Sequence, residues 1–334
     1  MRQAGRYMAS YRALRGRASF LDICKQPALS CEATMMAVDQ LGVDAAILFS
    51  DILVPLEAMG LTVEFPEGGP EIGPAVRTAD HVERLRVAGA ADALGYVYDA
   101  VALIRKTLDE RAGADGPLPL LGFAGAPWTL ATYAIEGGTN KGGGKNKHAL
   151  RRLIYDAPDV LHALLEKLTV VVADYLVRQV EAGAHAVQVF DTWAGLLAPD
   201  EWRALSLPYT TRVLEAVCAR TGVPTIHYAL ESAHLLDAFR ALPCDVLSVD
   251  HRESLSSVRA RTGGRFALQG NVEPGVMTAS LPAIERAVAA CLADYGDAPG
   301  HIMNLGHGIT PDASVDAARH FVVTAQRLGA ERRR

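Results

Sequence analysis

The chain has 334 residues, 50% hydrophobic and 21% charged, with a net charge of -5 at pH 7. This composition is typical of a soluble globular protein, and its acidic balance disfavours nucleic-acid binding. No apolar run approaches the ~18 residues of a membrane span, and the N-terminus lacks the apolar core of a secretory signal. The five cysteines form no CxxC pair, which fits buried thiols in a reducing cytosol. We therefore expect a cytoplasmic protein.

The first seventeen residues form a local positive patch. They contain no acidic residue and five arginines, namely Arg2, Arg6, Arg12, Arg15 and Arg17. The arginines are separated by glycine, tyrosine and other residues, so they do not form a continuous basic run. A guanidinium group is planar and can hold a carboxylate or phosphate through two donors at once. The patch therefore suits a polyanionic small molecule, and a solvated basic terminus is the alternative.

Short β-branched runs, each closing on a polar residue, predict seven strands. They span 44–51, 118–124, 185–192, 223–228, 246–251, 266–271 and 301–307. Apolar residues at helical spacing predict the helices between them. These helices span 81–112, 158–182, 200–220, 231–242, 254–262, 281–294 and 311–328. Prolines at or near four of the predicted starts fit the first turn of a helix, where a missing N–H costs nothing.

Strands that alternate with helices predict a parallel sheet with right-handed crossovers. An eighth strand, at or just before residues 1–3, would close a (β/α)₈ TIM-type barrel as one domain over 1–334, so we expect a truncated first strand. An open doubly wound sheet is the rival, but it usually carries a glycine fingerprint after its first strand. The glycine- and lysine-rich segment 137–147 lacks the Gly-Lys-Ser/Thr ending of a phosphate loop, which predicts a mobile surface loop.

Barrel active sites form at the C-terminal ends of the strands. The residues predicted at these ends are Asp51, Gly125, Asp191, Thr192, His227, Asp250, His251, Asn271 and His307. Any of them could instead cap a helix or hold a loop. That alternative weighs most for Asp191, His227 and Asp250.

Three classes of catalysis lack their required side chains at the predicted strand ends. None of the six lysines ends a strand, as a Schiff-base lyase requires. There is no His-x-His pair on an early strand, and scattered Asp and His residues are weak evidence for a metal. A zinc-thiolate methyltransferase would need cysteine at these ends. We therefore expect chemistry by charge and hydrogen bonding, with neither metal nor cofactor.

Six sequence blocks together identify the chain as a member of a known family. They read MRQAGRY (1–7), ILFSDILVPLEAMG (47–60), GFAGAPWTLATYAIEGG (122–138), VFDTWAG (189–195), ALQGNVEP (267–274) and NLGHGITP (304–311). Their sequences and order resemble the uroporphyrinogen decarboxylase family. The resemblance implies a (β/α)₈ barrel, a homodimer, and cofactor-free decarboxylation of four acetates of uroporphyrinogen III to give coproporphyrinogen III in haem and chlorophyll biosynthesis. A corrinoid-linked methyltransferase of the same superfamily and an inactive tetrapyrrole-binding protein are the alternatives.

The resemblance also implies roles for individual residues. Asp51 would accept hydrogen bonds from the pyrrole N–H groups, Tyr133 would lie beside the reacting acetate, and the first-segment arginines would hold carboxylates. The implied catalytic residues are Asp51, Tyr133 and Arg2. The implied substrate-binding residues are Arg2, Gln3, Ala4, Gly5, Arg6, Arg15, Phe49, Asp51, Phe123, Tyr133, Thr192 and His307. Core packing is the alternative for Tyr133 and Phe123, and Arg2, Asp51 through a water, and Tyr133 all remain candidates for the general acid.

Four features depart from the family pattern. The 137–147 loop is a few residues longer than usual. Relatives carry a further segment before the first block, including most of the first strand, so we expect a misassigned start or a truncation here. Glu273 stands where aspartate is common, and His251 where tryptophan is common. We expect both to tune activity.

Overall fold

The computed structural model describes residues 2–113, 116–139 and 147–332. Most of the predicted mobile loop, 140–146, lies outside these described residues. The strands are β1 Ala46–Ile47, β2 Thr62–Glu64, β3 Glu71–Gly73, β4 Leu120–Gly125, β5 Ala186–Asp191, β6 Thr225–Ala229, β7 Val246–Val249, β8 Ala267–Val272 and β9 His301–Leu305. All seven predicted strands are present, and the β2–β3 hairpin was not predicted.

The helices cover both the predicted segments and much of the first 60 residues. They are α1 Ala9–Arg17, α2 Phe20–Lys25, α3 Pro27–Leu41, α4 Val54–Ala58, α5 Ala79–Glu83, α6 Gly95–Glu110, α7 Pro127–Glu136, α8 His148–Asp156, α9 Pro158–Glu181, α10 Pro199–Leu205, α11 Leu207–Thr221, α12 Leu236–Phe239, α13 Leu255–Thr262, α14 Leu281–Tyr295 and α15 Val315–Arg332. In the part of the chain that is described, none of them is long and apolar enough to cross a membrane.

Seven strands form one parallel sheet in the order β1-β4-β5-β6-β7-β8-β9. The sheet is curled, as contacts inside it show: side chains of strands that are not neighbours in the sheet meet there. Gln269 on β8 donates through Nε2 to Gln188 Oε1 on β5 at 3.1 Å and to Ser248 Oγ on β7 at 2.9 Å. All three side chains are buried and form a polar layer inside the curled sheet. The predicted TIM-type α/β fold is confirmed.

The predicted helix over 81–112 was wrong, because the chain leaves the helix after α5 and starts again at α6. The ammonium of Lys167 on α9 binds the chain at this break. It donates to the carbonyl oxygens of Val82, Glu83 and Leu85 at 2.8 to 2.9 Å. Lys167 thus stabilises the end of α5 and the turn that follows it. Gly89 follows with φ +73, a left-handed conformation that favours glycine.

Two other predicted helices are shorter than expected. The helix over 200–220 divides at Ser206 into α10 and α11; Pro208 follows the break, and proline has no N–H to continue the α10 hydrogen-bond ladder. The helix over 231–242 is reduced to α12, preceded by a 3₁₀ turn.

Of the five free cysteines four are buried as expected, whereas Cys218 is exposed.

β1 is much shorter than the predicted 44–51, because helix α3 provides hydrogen-bond partners for the following backbone. Leu48 N still donates to Leu121 O at 3.0 Å. At Phe49 the backbone N–H donates to Thr34 Oγ1 at 3.0 Å, and the carbonyl accepts from Ser30 Oγ at 2.7 Å. The chain thus turns from the sheet toward α3 just before Asp51.

The N-terminal segment bridges the two edges of the curled sheet. Within the described residues, β1 and β9 each have one edge without a strand partner. At β1, the Gln3 side chain forms two of the hydrogen bonds that a neighbouring strand would otherwise form. Its Nε2 donates to Ala45 O at 2.8 Å and its Oε1 accepts from Ile47 N at 3.0 Å. Its neighbour Arg2 lies against Gly308, just past β9.

We predict that Gln3→Ala lowers the free energy of unfolding by about 1–2 kcal/mol, because it leaves a half-buried N–H and C=O of the β1 edge without a partner. Urea denaturation measures the change. The control is Gln326→Ala, since Gln326 Nε2 also bonds a backbone oxygen, Gly42 O at 2.9 Å, but at an exposed site. Equal effects of the two substitutions would contradict a special role for Gln3 in closing the sheet edge.

Candidate active site

Arg2 lies between two glycines at the mouth of the barrel. A Cβ at Gly5 would stand 3.3 Å from Arg2 Cδ, and one at Gly308 would stand 3.6 Å from Arg2 Cβ. The absence of side chains at both positions leaves space for the arginine. Its guanidinium lies close enough to Asp51 and His307 for its positive charge to favour a lower pKa at each, although other contributions also act on Asp51.

Asp51 follows β1 and is half-buried where the chain turns into α4. Its Oδ1 accepts a hydrogen bond from Leu53 N at 2.9 Å. Burial raises the pKa of Asp51 from its ordinary 3.8 to about 6, and the Leu53 N–H and the Arg2 charge only partly oppose this. The group can therefore change its charge close to neutral pH, as many catalytic carboxyls do.

Tyr133 lies on α7, half-buried, with its ring 5.8 Å from the ring of Trp193 in an edge-to-face arrangement. Burial, together with the nearby charge of Asp51, raises the pKa of Tyr133 to about 12. The phenol therefore stays protonated at neutral pH and can serve as a hydrogen-bond donor. Of the three sequence-predicted residues, Asp51 lies within electrostatic range of both Arg2 and Tyr133.

Aromatic rings form a continuous wall inside the curled sheet and reach His307. Phe123 on β4 lies 5.7 Å from Phe190 on β5, and Phe190 lies 5.6 Å from Tyr228 on β6, both edge-to-face. Tyr228 stacks on His307 with centroids 6.2 Å apart, and its hydroxyl lies 3.0 Å from His307 Nδ1. His307 is exposed at the rim. Desolvation lowers its pKa, and the positive charge of Arg2 lowers it as well. The wall thus presents an apolar surface that ends at a histidine on the rim.

Phe190 and Tyr228 were missed by the sequence-based prediction, which selected their neighbours Asp191 and His227. Successive residues of a strand face opposite sides. Asp191 accordingly faces the helices, where it accepts from Thr129 Oγ1 at 2.9 Å. His227 also faces the helices, and its ring lies 5.6 Å from that of Phe239 on α12. Applying this alternation to the predicted strands would have indicated Phe190 and Tyr228.

The other predicted substrate residues occupy varied positions. Phe49 is half-buried, with its ring 5.4 Å from Tyr11 and 6.0 Å from Phe20, so it supports the arginine-bearing segment from below. Thr192 is half-buried directly before Trp193. Ala4 and Gly5 are buried, and Arg6 and Arg15 are exposed at the surface. Contact of these residues with a substrate stays a prediction.

Asp250 at the end of β7 has structural partners. Its side chain is buried and accepts from the backbone N–H groups of Glu231 and Arg252 and from the Arg252 guanidinium. It thereby fixes the loops that follow β6 and β7, in agreement with the alternative that the sequence left open.

A separate cleft of about 350 Å³ lies next to the ends of β7 and β8. Its lining includes His251 and Glu273, the two single-residue departures from the family pattern, together with Arg252, Cys291 and Asp294. None of the residues predicted to bind substrate lines it. Over the described ranges, no group of three or more His, Cys, Asp or Glu side chains is placed to hold a metal ion.

Comparison with known proteins places this arrangement in a family. The family model described as uroporphyrinogen decarboxylase (URO-D) matches residues 1–328. A uroporphyrinogen decarboxylase of Pelobacter propionicus is 42% identical over 328 residues, which cover 98% of this chain and 93% of the relative. That of Alkalilimnicola ehrlichii is 45% identical over 316 residues, covering 93% and 84% respectively. The chain belongs to the uroporphyrinogen decarboxylase family.

A solved structure shares the fold of this uroporphyrinogen decarboxylase family member. A methyltransferase from Methanosarcina mazei matches it with a TM-score of 0.73 at 19% identity, covering 98% of this chain and 93% of that chain. At such low identity the likeness establishes the common fold alone.

In this uroporphyrinogen decarboxylase family member, we predict that Asp51→Asn raises the free energy of unfolding at neutral pH. The native pKa of Asp51, about 6, lies above its ordinary 3.8, so the native state binds more protons than the unfolded state between these values. Wild-type stability therefore falls as pH rises through this window, and asparagine removes that loss. Urea denaturation should show the mutant's advantage at about pH 7.5 and none well below pH 4.

Asp22→Asn is a control with the opposite sign. Hydrogen bonds from the side chain and the backbone N–H of Ser19 lower the pKa of Asp22 at the start of α2. Its carboxylate therefore contributes stability at neutral pH that is lost in acid, and the mutant should be less stable than the wild type at neutral pH. A pH-independent effect of Asp51→Asn would contradict the raised pKa.

Proposed function

We propose that this protein removes carbon dioxide from the four acetate side chains of uroporphyrinogen III and so produces coproporphyrinogen III. The observation that carries the proposal is the gathering of Arg2, Asp51, Tyr133 and His307 at one barrel mouth in a chain of this family. The substrate carries eight carboxylates around an apolar ring system. An arginine-lined rim above an aromatic wall complements both features.

Asp51 is the group that we assign to the centre of the macrocycle. An ionised carboxylate is acceptor-only and can gather several pyrrole N–H donors. Its fixed negative charge also favours the positive charge that develops when a pyrrole ring is protonated, which is electrostatic stabilisation of the transition state. Because Asp51 is partly desolvated before substrate arrives, this interaction is less screened than it would be in water.

The reaction needs one proton taken up for each carbon dioxide released. Protonation of a ring α-carbon makes the pyrrole an electron sink. The bond to the carboxylate then breaks, its electron pair moves into the ring, and carbon dioxide leaves. The exocyclic methylene carbon takes up a proton and the ring α-carbon gives its proton back, so an acetate becomes a methyl group. The ring itself supplies the electron sink, so we propose that no cofactor takes part.

The side chains present limit the choice of proton donor without reducing it to one. The Tyr133 phenol is protonated at neutral pH because its pKa is about 12. Asp51 is the more acidic candidate, with a pKa of about 6, and would act through a water. Arg2 is charged and adjacent to Asp51. All three retain the role proposed from the sequence.

We extend the proposal to the assembly and location that the resemblance implies. The chain would act as one domain over 1–334, as a homodimer in the cytoplasm, with a small-molecule substrate and no nucleic-acid partner. The acidic net charge of -5 supports the last point.

Anaerobic incubation with uroporphyrinogen tests the function. We expect products with seven, six, five and finally four carboxylates by chromatography, and unchanged rates when a chelator is present. Intact substrate after exhaustive incubation would overturn the decarboxylase proposal and leave the inactive tetrapyrrole-binding protein. Methyl transfer to or from a corrinoid, with no decarboxylation, would favour the methyltransferase.

We predict that Asp51→Asn lowers kcat by about 10²- to 10³-fold, the usual cost of losing one preorganised electrostatic group. The asparagine amide is nearly isosteric, but it removes the negative charge and can present N–H donors to the pyrrole N–H groups. Steady-state kinetics under anaerobic conditions provide the measurement. Asp22→Asn serves as the control with turnover close to wild type, and near wild-type turnover of Asp51→Asn would make Asp51 a structural residue.

We predict that alanine at Arg6 or Arg15 raises KM by about three- to tenfold, as expected for the loss of an exposed bidentate pair. Among the described residues, neither of them forms an ion pair, so each can bind a substrate carboxylate. Arg17 pairs with Glu32, and Arg17→Ala is the matched control with little effect. KM should also rise with salt, because exposed charges are screened beyond ~10 Å at 0.1 M. Equal effects at all three arginines would contradict the assignment.

A further inference from the structure

Trp193 follows Thr192 at the mouth of the barrel, and helix α7 holds its backbone at two points. The backbone N–H of Trp193 donates to Thr129 Oγ1 at 3.2 Å. Its carbonyl accepts from the indole N–H of Trp128 at 3.0 Å. Both anchors lie on the first turn of α7, and both are fully buried.

The same helix carries Tyr133 one turn further on, with its ring against the ring of Trp193. The two hydrogen bonds therefore fix residues 192–193 relative to Tyr133. Without them, residues 192–193 would be held less firmly against α7, because ring packing resists rotation and sliding less well than directional hydrogen bonds.

Buried Asp191 keeps the Thr129 hydroxyl in the orientation that Trp193 needs. Thr129 Oγ1 donates its proton to Asp191 Oδ1 at 2.9 Å, so its lone pairs face the Trp193 N–H. Ser206 Oγ donates to the other carboxylate oxygen at 2.7 Å and fixes Asp191 in turn. The hydroxyl thus works as both donor and acceptor, which requires serine or threonine at this position.

We propose that Thr129, oriented by Asp191, is a positioning residue for the decarboxylation. It holds Trp193, and with it the Thr192 hydroxyl, in register with Tyr133. This inference deepens the proposed function and rests on it. A displacement of about 1 Å at a reacting group commonly costs about 10²-fold in rate.

A matched set of variants tests the proposal. Thr129→Val keeps the shape of the side chain and removes the hydroxyl, whereas Thr129→Ser keeps the hydroxyl. Thr132→Val is the control, because Thr132 is equally buried on α7 and its hydroxyl donates to Trp128 O within the helix. We expect Thr129→Val to lower kcat about tenfold or more with KM changed less than about threefold, since orientation and not binding is lost. Thr129→Ser should restore most of kcat, and Thr132→Val should stay close to wild type.

Fluorine NMR of protein labelled with 5-fluorotryptophan provides a readout that needs no substrate. The signal of Trp193, assigned with Trp193→Phe, should shift or broaden in Thr129→Val and remain in place in Thr129→Ser and Thr132→Val. If Thr129→Val does not fold, Trp128→Phe removes the other anchor of Trp193, and the same fall in kcat is expected.

The two proposals fail in distinguishable ways. A wild-type protein inactive on uroporphyrinogen overturns the proposed function, and the Trp193 signal alone then decides whether Thr129 holds this segment. Kinetics and spectra of Thr129→Val that match those of Thr132→Val overturn the positioning role. A loss of kcat in Thr129→Val that serine does not restore overturns the role of the hydroxyl.

Discussion

The candidate site depends on one short segment that spans the opening between the edges of a curled sheet. The Gln3 amide bonds the backbone of β1, and Arg2 lies in the space left by Gly5 and Gly308, beyond β9. Asp51 follows β1 and His307 follows β9, so the same bridge that joins the two edges also places a guanidinium between these two groups. The contacts that join the two edges of the sheet therefore also hold the charged groups of the candidate site together. A substitution in this segment that weakened the sheet edge would also move the charge at the barrel mouth.

The site concentrates positive charge locally on a protein of net charge -5. Arginine suits this role because it stays charged at all relevant pH values and offers a rigid fork of donors. Asp51 is the complementary case, since burial keeps its pKa close to neutrality in spite of the adjacent Arg2. A more exposed aspartate would ionise more readily but would also be better solvated, and its field on a developing cation would be weaker. The cost in stability and the proposed gain in catalysis thus come from the same desolvation.

Much of the fold could be predicted from the sequence, because alternation of strands with helices admits few topologies. Helix breaks were harder to predict, since the turn that follows Glu83 is stabilised by the ammonium of Lys167, more than 80 residues away in the chain. Candidate site residues such as Arg2, Asp51 and Tyr133 were selected where motif blocks mark them, and their roles stay predictions. Phe190 and Tyr228 were missed because attention went to polar residues at the strand ends, and an ionisable side chain facing the helices, such as Asp191, looks the same in sequence as one facing the interior. Contacts between distant segments, such as Thr129 with Trp193, leave no local signal.

The buried layer of Gln188, Ser248 and Gln269 affects how a bound molecule can leave the barrel. These side chains bond to one another across the interior of the sheet, which is filled as in other barrels of this kind. Among the described residues this layer fills the interior of the sheet, so a molecule bound at the mouth would leave from the side by which it entered. If one macrocycle loses four carboxyl groups in succession, it must rotate in the site after each loss to present the next acetate. Each such rotation competes with dissociation of the macrocycle from the protein. The residence time at a one-sided opening would then govern how many partly decarboxylated rings escape.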